Sequence, residues 1–348
     1  MAKSLFGFPY DEELFSYLYG QEPDPITTAL LDSGAMVYDG EIAAQISKGS
    51  NLYTVPFHKT LGGEPVNYDG KTDITADETT AATQTGVVWG RAKAWKRRDF
   101  TVDFNNVDPM HAIVSQTKRF WDKQTQKDML TVLKAIFGIN STVHSDDAFS
   151  KAFEAHTLDI ASTSDGQMTE ANKIGATTLG DATVKACGDN ALGKFNLAVM
   201  HSTVAQNLAG TNLLEYRKYT DPMGIQRTLP IVDINGMTVI VFDGVPTEED
   251  STSNLMEYTT YLLGDGALRY APAPVDVPFE AARDASTNGG MDLLYTRRRH
   301  TICPNGITYV PQSDEPASVT DAQLAESKRF KPVFDPKCLP FARVVSNG

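Results

Sequence analysis

Alternating hydrophobic and polar positions predict a long β-hairpin in the first third of the chain. Residues 51–59 alternate as a strand does, and residues 85–104 predict the strand that returns. The connection is polar and rich in threonine, with Gly62-Gly63 and the turn sequence Tyr68-Asp69-Gly70. Because a two-stranded hairpin is marginally stable alone in water, we expect this arm to lie on a neighbouring subunit. The alternative is a long surface loop.

A helical pattern follows the hairpin. Asp108 predicts an N-cap, Pro109 a first helical residue and Gly138 the end of the helix. Apolar residues fall near one face, and charged residues supply the remainder: Ile113, Phe120, Leu130, Leu133 and Phe137 on the first, and Lys118, Arg119, Lys123, Lys127 and Asp128 on the second. A helix of about 45 Å indicates an elongated subunit.

The second half of the chain has a mixed pattern. It predicts helices at 170–187 and 201–208 and strands at 196–200, 229–234, 237–242 and 258–263. Asn235-Gly236 predicts a hairpin between two of these strands, and Gly264-Asp265-Gly266 closes the last one. This order indicates an α+β domain around a small sheet.

Composition restricts the kinds of partner. The 348 residues carry a formal net charge of -13, which argues against a surface that binds nucleic acid over its whole extent. Two basic runs stand out, 91–98 and 297–300. We expect them to pair with carboxylates of the same chain or of a neighbour, such as the acidic N-terminal residues Asp11, Glu12, Glu13, Glu22 and Asp24. The alternative is a contact with DNA or an acidic partner.

Neither secretion nor a membrane segment is indicated. The three cysteines, Cys187, Cys303 and Cys338, have no metal-ligand spacing and fit synthesis in a reducing cytosol. The first residues lack a basic and apolar leader, and no window contains 18 uninterrupted apolar residues.

The candidate catalytic motifs are incomplete. Residues 188–194 have the spacing of a phosphate-binding loop, but Phe195 replaces the required hydroxyl and the predicted order is helix, loop, strand. We interpret these glycines as a helix stop. His201-Ser202 invites a hydrolase hypothesis, although capping of the following helix explains both residues. The paired carboxylates at 146–147 and 248–250 lie in polar stretches that predict loops, and the histidines are scattered, so no metal site or cofactor site is predicted.

An ordered series of short motifs resembles the major capsid proteins of tailed bacteriophages. The motifs, in chain order, are residues 242–246 (FDGVP), 261–268 (YLLGDGAL), Glu280 with Arg283-Asp284, Arg299-His300, 304–306 (PNG) and the closing segment 324–348. Each motif is weak alone, and their common order carries the resemblance over nearly the whole chain.

The resemblance implies an α+β fold with five parts. They are an N-terminal arm (1–49), an extended β-hairpin loop (50–104), a peripheral domain with a long spine helix (105–169), an axial domain (170–266), and return strands of the peripheral domain with a C-terminal tail (267–348). Residues 144–167, rich in Ser and Asp, are interpreted as an insertion in the peripheral domain.

The resemblance also implies a non-enzymatic function. Pentamers and hexamers would assemble into an icosahedral virion head around double-stranded DNA, in the bacterial cytoplasm and without a membrane. Because the extended loop begins near residue 50, no scaffolding segment precedes it, so a separate scaffolding protein is implied, together with a portal protein and a possible decoration protein. Crosslinking through Lys59 or Lys71 is not supported by a residue-by-residue match. The alternatives are a cargo shell, another virion assembly protein such as a tail component, or a His201-Ser202 hydrolase.

We expect self-association to use the hairpin and the two basic runs. The predicted residues are Phe57, Lys59, Leu61, Tyr68, Arg91, Lys93, Lys96, Arg97, Arg98, Arg297, Arg298 and Arg299.

Overall fold

Two β-sheets and one long helix organise the chain. The computed structural model describes residues 4–5, 8–9, 34–47, 49–58, 64–71, 73, 81–98, 110–145, 147–162, 164, 166–191, 193–211, 215–220, 226–234, 236–251, 254–286, 290–314 and 316–348. The strands are β1 (Ser4–Leu5), β2 (Phe8–Pro9), β3 (Met36–Tyr38), β4 (Leu52–His58), β5 (Ala81–Val87), β6 (Trp89–Arg98), β7 (Thr157–Asp159), β8 (Phe195–Met200), β9 (Glu215–Thr220), β10 (Gln226–Ile234), β11 (Met237–Val241), β12 (Thr247–Glu249), β13 (Met256–Gly264), β14 (Leu268–Ala273), β15 (Phe279–Asp284), β16 (Met291–Pro304), β17 (Ile307–Tyr309), β18 (Phe330–Pro332) and β19 (Phe341–Ser346). The α-helices are α1 (Gly40–Ile46), α2 (Met110–Phe137), α3 (Ala148–Phe153), α4 (Thr178–Cys187), α5 (Ser202–Gly210) and α6 (Asp321–Leu324).

The smaller sheet is built around β16. One edge of β16 pairs antiparallel with β6 over ten positions, from Met291 opposite Arg98 to His300 opposite Trp89. Its other edge pairs with β15 and then with β14. Strand β3 extends this sheet by pairing parallel with β14. Residues 36–38 of the predicted arm (1–49) therefore form an edge strand of this sheet.

The larger sheet has the order β7, β19, β13, β8, β11, β10, β9, and β12 pairs with the free part of β13. Its centre is apolar, since Leu197, Val199, Leu262 and Val344 are all buried. Helices α4 and α5 cover one face with residues such as Leu179 and Val204, and the long helix α2 covers the other.

Helix α2 contacts both sheets. Near its start, Phe120 meets Trp95 of β6 with ring centroids 5.3 Å apart. Near its end, Phe137 stacks on Tyr261 of β13 at 5.4 Å. The predicted end at Gly138 is confirmed, whereas the predicted start signals at 108–109 lie outside the described residues. The helix thus ties the two sheets into one core.

The α+β class is confirmed, and so is the hairpin of β10 and β11, which are antiparallel and in register at Ile234 and Met237. The single return strand at 85–104 is wrong. Residues 81–87 pair antiparallel with β4. Residues 89–98 pair with β16 instead, because that long strand offers ten backbone partners. The chain turns at Val88, whose N–H donates to the carbonyl of Asn51.

Two other segments differ from the sequence prediction, and the predicted insertion, which stays a prediction, contains regular elements. The helix at 170–187 begins only at Thr178, because the N–H of Ile174 donates to the carbonyl of Gly348 instead of continuing a helix. The presumed insertion at 144–167 supplies α3 and the edge strand β7, and Asp147 caps α3 through the N–H of Ser150. Residues 247–249 form β12, an edge strand, because they pair with β13. The five-part domain division stays a prediction. Strand β19 belongs to the predicted last part (267–348), yet it pairs with β13 of the predicted axial domain (170–266).

Candidate assembly surfaces

The root of the β4–β5 hairpin is fixed to its own chain. The side-chain amide of Gln84 is 4% exposed and donates to the carbonyls of Pro304 at 2.7 Å and Ile307 at 3.1 Å. The Tyr53 hydroxyl lies 3.1 Å from the Thr301 hydroxyl. The expectation that only a neighbour would support the arm is therefore wrong for its root, because the turn after β16 presents carbonyls to it.

One glycine allows this close packing. A Cβ on Gly86 would lie 2.2 Å from the ring and hydroxyl of Tyr53, far inside van der Waals contact. Burial and, to a smaller extent, the nearby Cys303 raise the pKa of Tyr53, which keeps its hydroxyl neutral. The absence of a side chain at Gly86 therefore leaves room for the Tyr53 ring, whose hydroxyl contacts Thr301.

The described residues of the connection, 64–71 and 73, are exposed. Tyr68 is 96% exposed and Val66 is 42% exposed. The predicted turn is confirmed, since Gly70 has a φ of 68° and the N–H of Lys71 donates to Asp69 at 2.8 Å. Phe57, at the far end of β4, meets Phe334 edge-on at 4.6 Å. Lys59 and Leu61 lie outside the described residues.

The two basic runs lie side by side, which the sequence prediction did not include. Strands β6 and β16 place Arg91 opposite Arg298 and Lys93 opposite Thr296. Residues more than two hundred positions apart thus form one basic band on the smaller sheet.

Arg91 and Arg297 pair with carboxylates within the chain, as the pairing hypothesis predicted, whereas Arg299 and Arg298 contact an amide and an aromatic ring. Arg91 donates to Asp321 at 3.0 Å, Arg297 to Glu280 at 2.8 Å and Arg299 to Asn51 at 2.9 Å. The Arg298 guanidinium lies 5.6 Å from the Trp121 ring centre. Lys93, Lys96 and Arg98 are exposed, and Arg97 is half-buried. The acidic residues proposed at 11–24 lie outside the described residues.

A buried polar cluster holds α2 to the smaller sheet. Asp128 is 1% exposed; it accepts from the indole N–H of Trp89 at 3.1 Å and from Gln124 at 2.7 Å. His300 Nε2 lies 3.1 Å from the same carboxylate. Burial alone would raise the pKa of Asp128, but His300, Trp89 and Gln124 together hold it below its ordinary value. The assignment of Asp128 to the charged outer face of the helix is therefore wrong.

The candidate nucleophile site has the geometry of a helix cap. His201 Nδ1 accepts from the backbone N–H of Thr203 at 3.1 Å, and its Nε2 lies 3.8 Å from Asp243. The N–H of Ser202 donates to Asp243, and hydrogen bonds from Ser202 lower the pKa of that carboxyl. The His201 ring contacts Thr203 and Asp243 rather than the Ser202 hydroxyl. The capping interpretation is confirmed.

The segment with phosphate-loop spacing, residues 188–194, lies between a helix and a strand. Gly188 ends α4 with a φ of 60°, and β8 starts at Phe195, which confirms a helix stop. Among the described residues, no group of three His, Cys, Asp or Glu side chains is arranged to hold a metal ion. Within the same residues, no helix has both the length and the apolar character needed to cross a membrane.

Comparisons with known proteins identify the fold and a relative. No family profile matches the chain. The chain is 28% identical over 314 residues to the major capsid protein of Bacillus phage SPP1, and the match covers 89% of this chain and 88% of the relative. The capsid of Ralstonia phage GP4 shares the fold with a TM-score of 0.57 at 12% identity, over 91% of this chain and 88% of that one. The capsid of cyanophage Pam1 gives a TM-score of 0.50 at 11% identity, over 87% of each chain.

The resemblance noted from the motifs is thus supported by an independent sequence match and by folds that share almost the full length. In sequence the chain is similar to the major capsid protein of a tailed phage, and it shares the fold of tailed-phage capsid proteins.

Proposed function

We propose that this capsid protein closes its shell by laying the connection between β4 and β5 over a neighbouring copy. The observation that carries the proposal is the contrast between the two ends of the hairpin. Gln84 and Tyr53 fix the root to β16 and its turn, while Tyr68 in the connection is almost fully exposed. Exposed tyrosines are enriched at protein interfaces, where the ring buries apolar area and the hydroxyl stays hydrogen-bonded.

The exposed members of the basic band complete this surface. Lys93, Lys96 and Arg98 are positioned to meet carboxylates of a neighbour, since Arg91, Arg297 and Arg299 already have partners within the chain. Charges at the rim of an interface mainly set the orientation and rate of association. Phe57 contributes from the rim of the hairpin, and Lys59 and Leu61 belong to the same proposed surface by their position in the sequence.

Pentamers and hexamers of this chain assemble, in this proposal, in the host cytoplasm with a separate scaffolding protein and a portal protein, and the shell then receives double-stranded DNA. Decoration proteins are further candidate partners. The function is structural rather than enzymatic. The supporting observation is the helix-capping role of His201, together with relatives that are themselves capsid proteins.

The test is a deletion of residues 62–80 with a short Gly-Ser replacement, which leaves β5 and its Gln84 anchor in place. The chain should stay folded by circular dichroism and fail to build closed shells by negative-stain microscopy. Tyr68→Ser should reduce the yield of closed shells, while Tyr68→Phe, which keeps the ring, should assemble nearly normally. Closed shells of normal size and yield from the deletion variant would overturn the proposal.

A further inference from the structure

The solvent-facing side of α2 is a row of cations. In the part of this helix whose side chains the structure describes, residues 116–137, the exposed positions are Gln116, Arg119, Lys123, Lys127 and Lys134. We call the last four the helix stripe. No carboxylate and no apolar side chain is exposed among these positions.

The stripe is straight and regular. At 100° per residue, its four members fall within an arc of about 80°, and the helical rise spaces Arg119, Lys123 and Lys127 about 6 Å apart. From Arg119 to Lys134 the stripe runs about 22 Å. A 22 Å length of duplex DNA presents about 13 phosphate charges, so one duplex can meet every member of the stripe.

The stripe is positively charged, whereas the chain as a whole is negatively charged. The chain as a whole carries -13, while this helix has five Lys or Arg residues against two Asp residues. One of those two acids, Asp128, points inward to Trp89 and His300 and is 1% exposed. The exposed face of α2 is therefore positive on a strongly acidic protein.

The ion pairs that Lys127 and Lys134 form within the chain are weak and replaceable. Lys127 lies 3.3 Å from Asp321, and Lys134 lies 2.8 Å from Glu248; all four side chains are more than a third exposed. Such exposed ion pairs contribute about 0–1 kcal/mol. For Lys123, the described residues supply no carboxylate within ion-pair distance. Phosphate groups can replace the carboxylates as partners of these lysines without disturbing the fold.

We propose that the helix stripe binds the phosphate backbone of the packaged double-stranded DNA. This inference rests on the proposed function, because it requires the shell to hold DNA. Binding to phosphates needs regularly spaced cations and no base contacts, and it is independent of sequence. An acidic protein partner would also bury apolar side chains at the centre of its interface, and this stripe exposes none.

The test compares two double variants of the full-length chain. Arg119→Gln with Lys123→Gln removes two stripe charges, and Lys151→Gln with Lys337→Gln removes two exposed charges elsewhere. Unassembled protein is titrated with a 30-base-pair duplex of mixed sequence at several salt concentrations. For the stripe variant we expect at least about tenfold weaker binding at low salt, and a slope of log affinity against log salt that is lower by about 1.8. The Lys151/Lys337 variant should bind as the unaltered chain does.

A charge-preserving variant, Arg119→Lys with Lys123→Arg, should keep the affinity, which separates charge from side-chain shape. Equal loss in the stripe variant and the Lys151/Lys337 variant would overturn the inference. So would tighter binding of polyglutamate than of duplex DNA, since that points to an acidic protein partner. Shell formation, scored separately by microscopy, reports on the proposed function. Closed shells from the hairpin-deletion variant would overturn the proposed function, whereas shells of the unaltered chain without stripe-dependent DNA binding would overturn this inference alone.

Discussion

The carboxylate of Asp128 on the long helix lies 3.1 Å from Nε2 of His300 on the central strand of the smaller sheet. The same carboxylate accepts from Trp89, so a single side chain links the helix to two neighbouring strands. Both Asp128 and His300 are nearly inaccessible to solvent, and a buried pair of this kind is costly to break from one side.

Replacing Asp128 with alanine should therefore destabilise the subunit. Removal of the acceptor leaves the Trp89 N–H and His300 without their shared partner, at a cost on the order of 3–5 kcal/mol in the free energy of unfolding. Urea unfolding of the unassembled chain measures this. Lys123→Ala, at an exposed site on the same helix, should change stability by no more than about 0.5 kcal/mol. Equal effects of the two substitutions would contradict this assignment.

The same contact predicts a pH dependence. The folded-state pKa of Asp128 lies below that of an unfolded aspartate, about 3.9, so the stabilisation is complete above that pH and is lost as the pH falls through the folded value. The difference in stability between the unaltered chain and Asp128→Ala should be constant near neutral pH and shrink below pH 4. A constant difference down to pH 2 would refute the role of the ionised carboxylate.

Gln84→Ala should loosen the root of the hairpin. The carbonyls of Pro304 and Ile307 would lose their donor in a buried place, which costs about 1–3 kcal/mol. Thermal unfolding and limited proteolysis between residues 62 and 80 provide the measurements, and Thr83→Ala, at an exposed position of the same strand, is the control. Cleavage at the same rate in both variants would show that the anchor does not hold the hairpin.

Gly86→Ala should act through Tyr53. The added methyl would overlap the tyrosine ring, so the ring must leave its place and give up the contact with Thr301. In a double-mutant cycle with Tyr53→Ala, the two substitutions should be strongly non-additive, with the double variant close to Tyr53→Ala alone. Additive losses of stability would show that the added methyl group does not act through the Tyr53 ring.

His201 offers a test of capping against catalysis. His201→Ala should cost about 0.5–2 kcal/mol through loss of the cap on Thr203, and His201→Asn, which supplies a good capping oxygen, should recover most of it. Chemical denaturation measures both. A catalytic histidine would not be rescued by asparagine, so esterase activity that disappears in His201→Asn would favour the hydrolase alternative.

The parts of this fold that could be predicted are those specified by local signals. The stop at Gly138 and the hairpin of β10 and β11 depend on residues within a few positions of each other. The α+β class follows from the same local patterns, and the order of short motifs was enough to indicate the family.

What could not be predicted depends on distant partners. Asp128 looks like any other charged residue in a helical pattern until His300 is placed beside it. Gln84 carries no signal of its anchoring role, because Pro304 and Ile307 lie more than two hundred positions away. The segment with α3 and β7 is polar because short elements at a sheet edge bury few side chains, Phe153 among them.

The position of β19 has a consequence for synthesis. This strand lies between β13 and β7, so the larger sheet stays open along one edge of β13 until the ribosome has released residues 341–346. A nascent subunit therefore cannot complete its larger sheet before β19 has been synthesised. The strand order itself thus disfavours association of subunits that are still being translated.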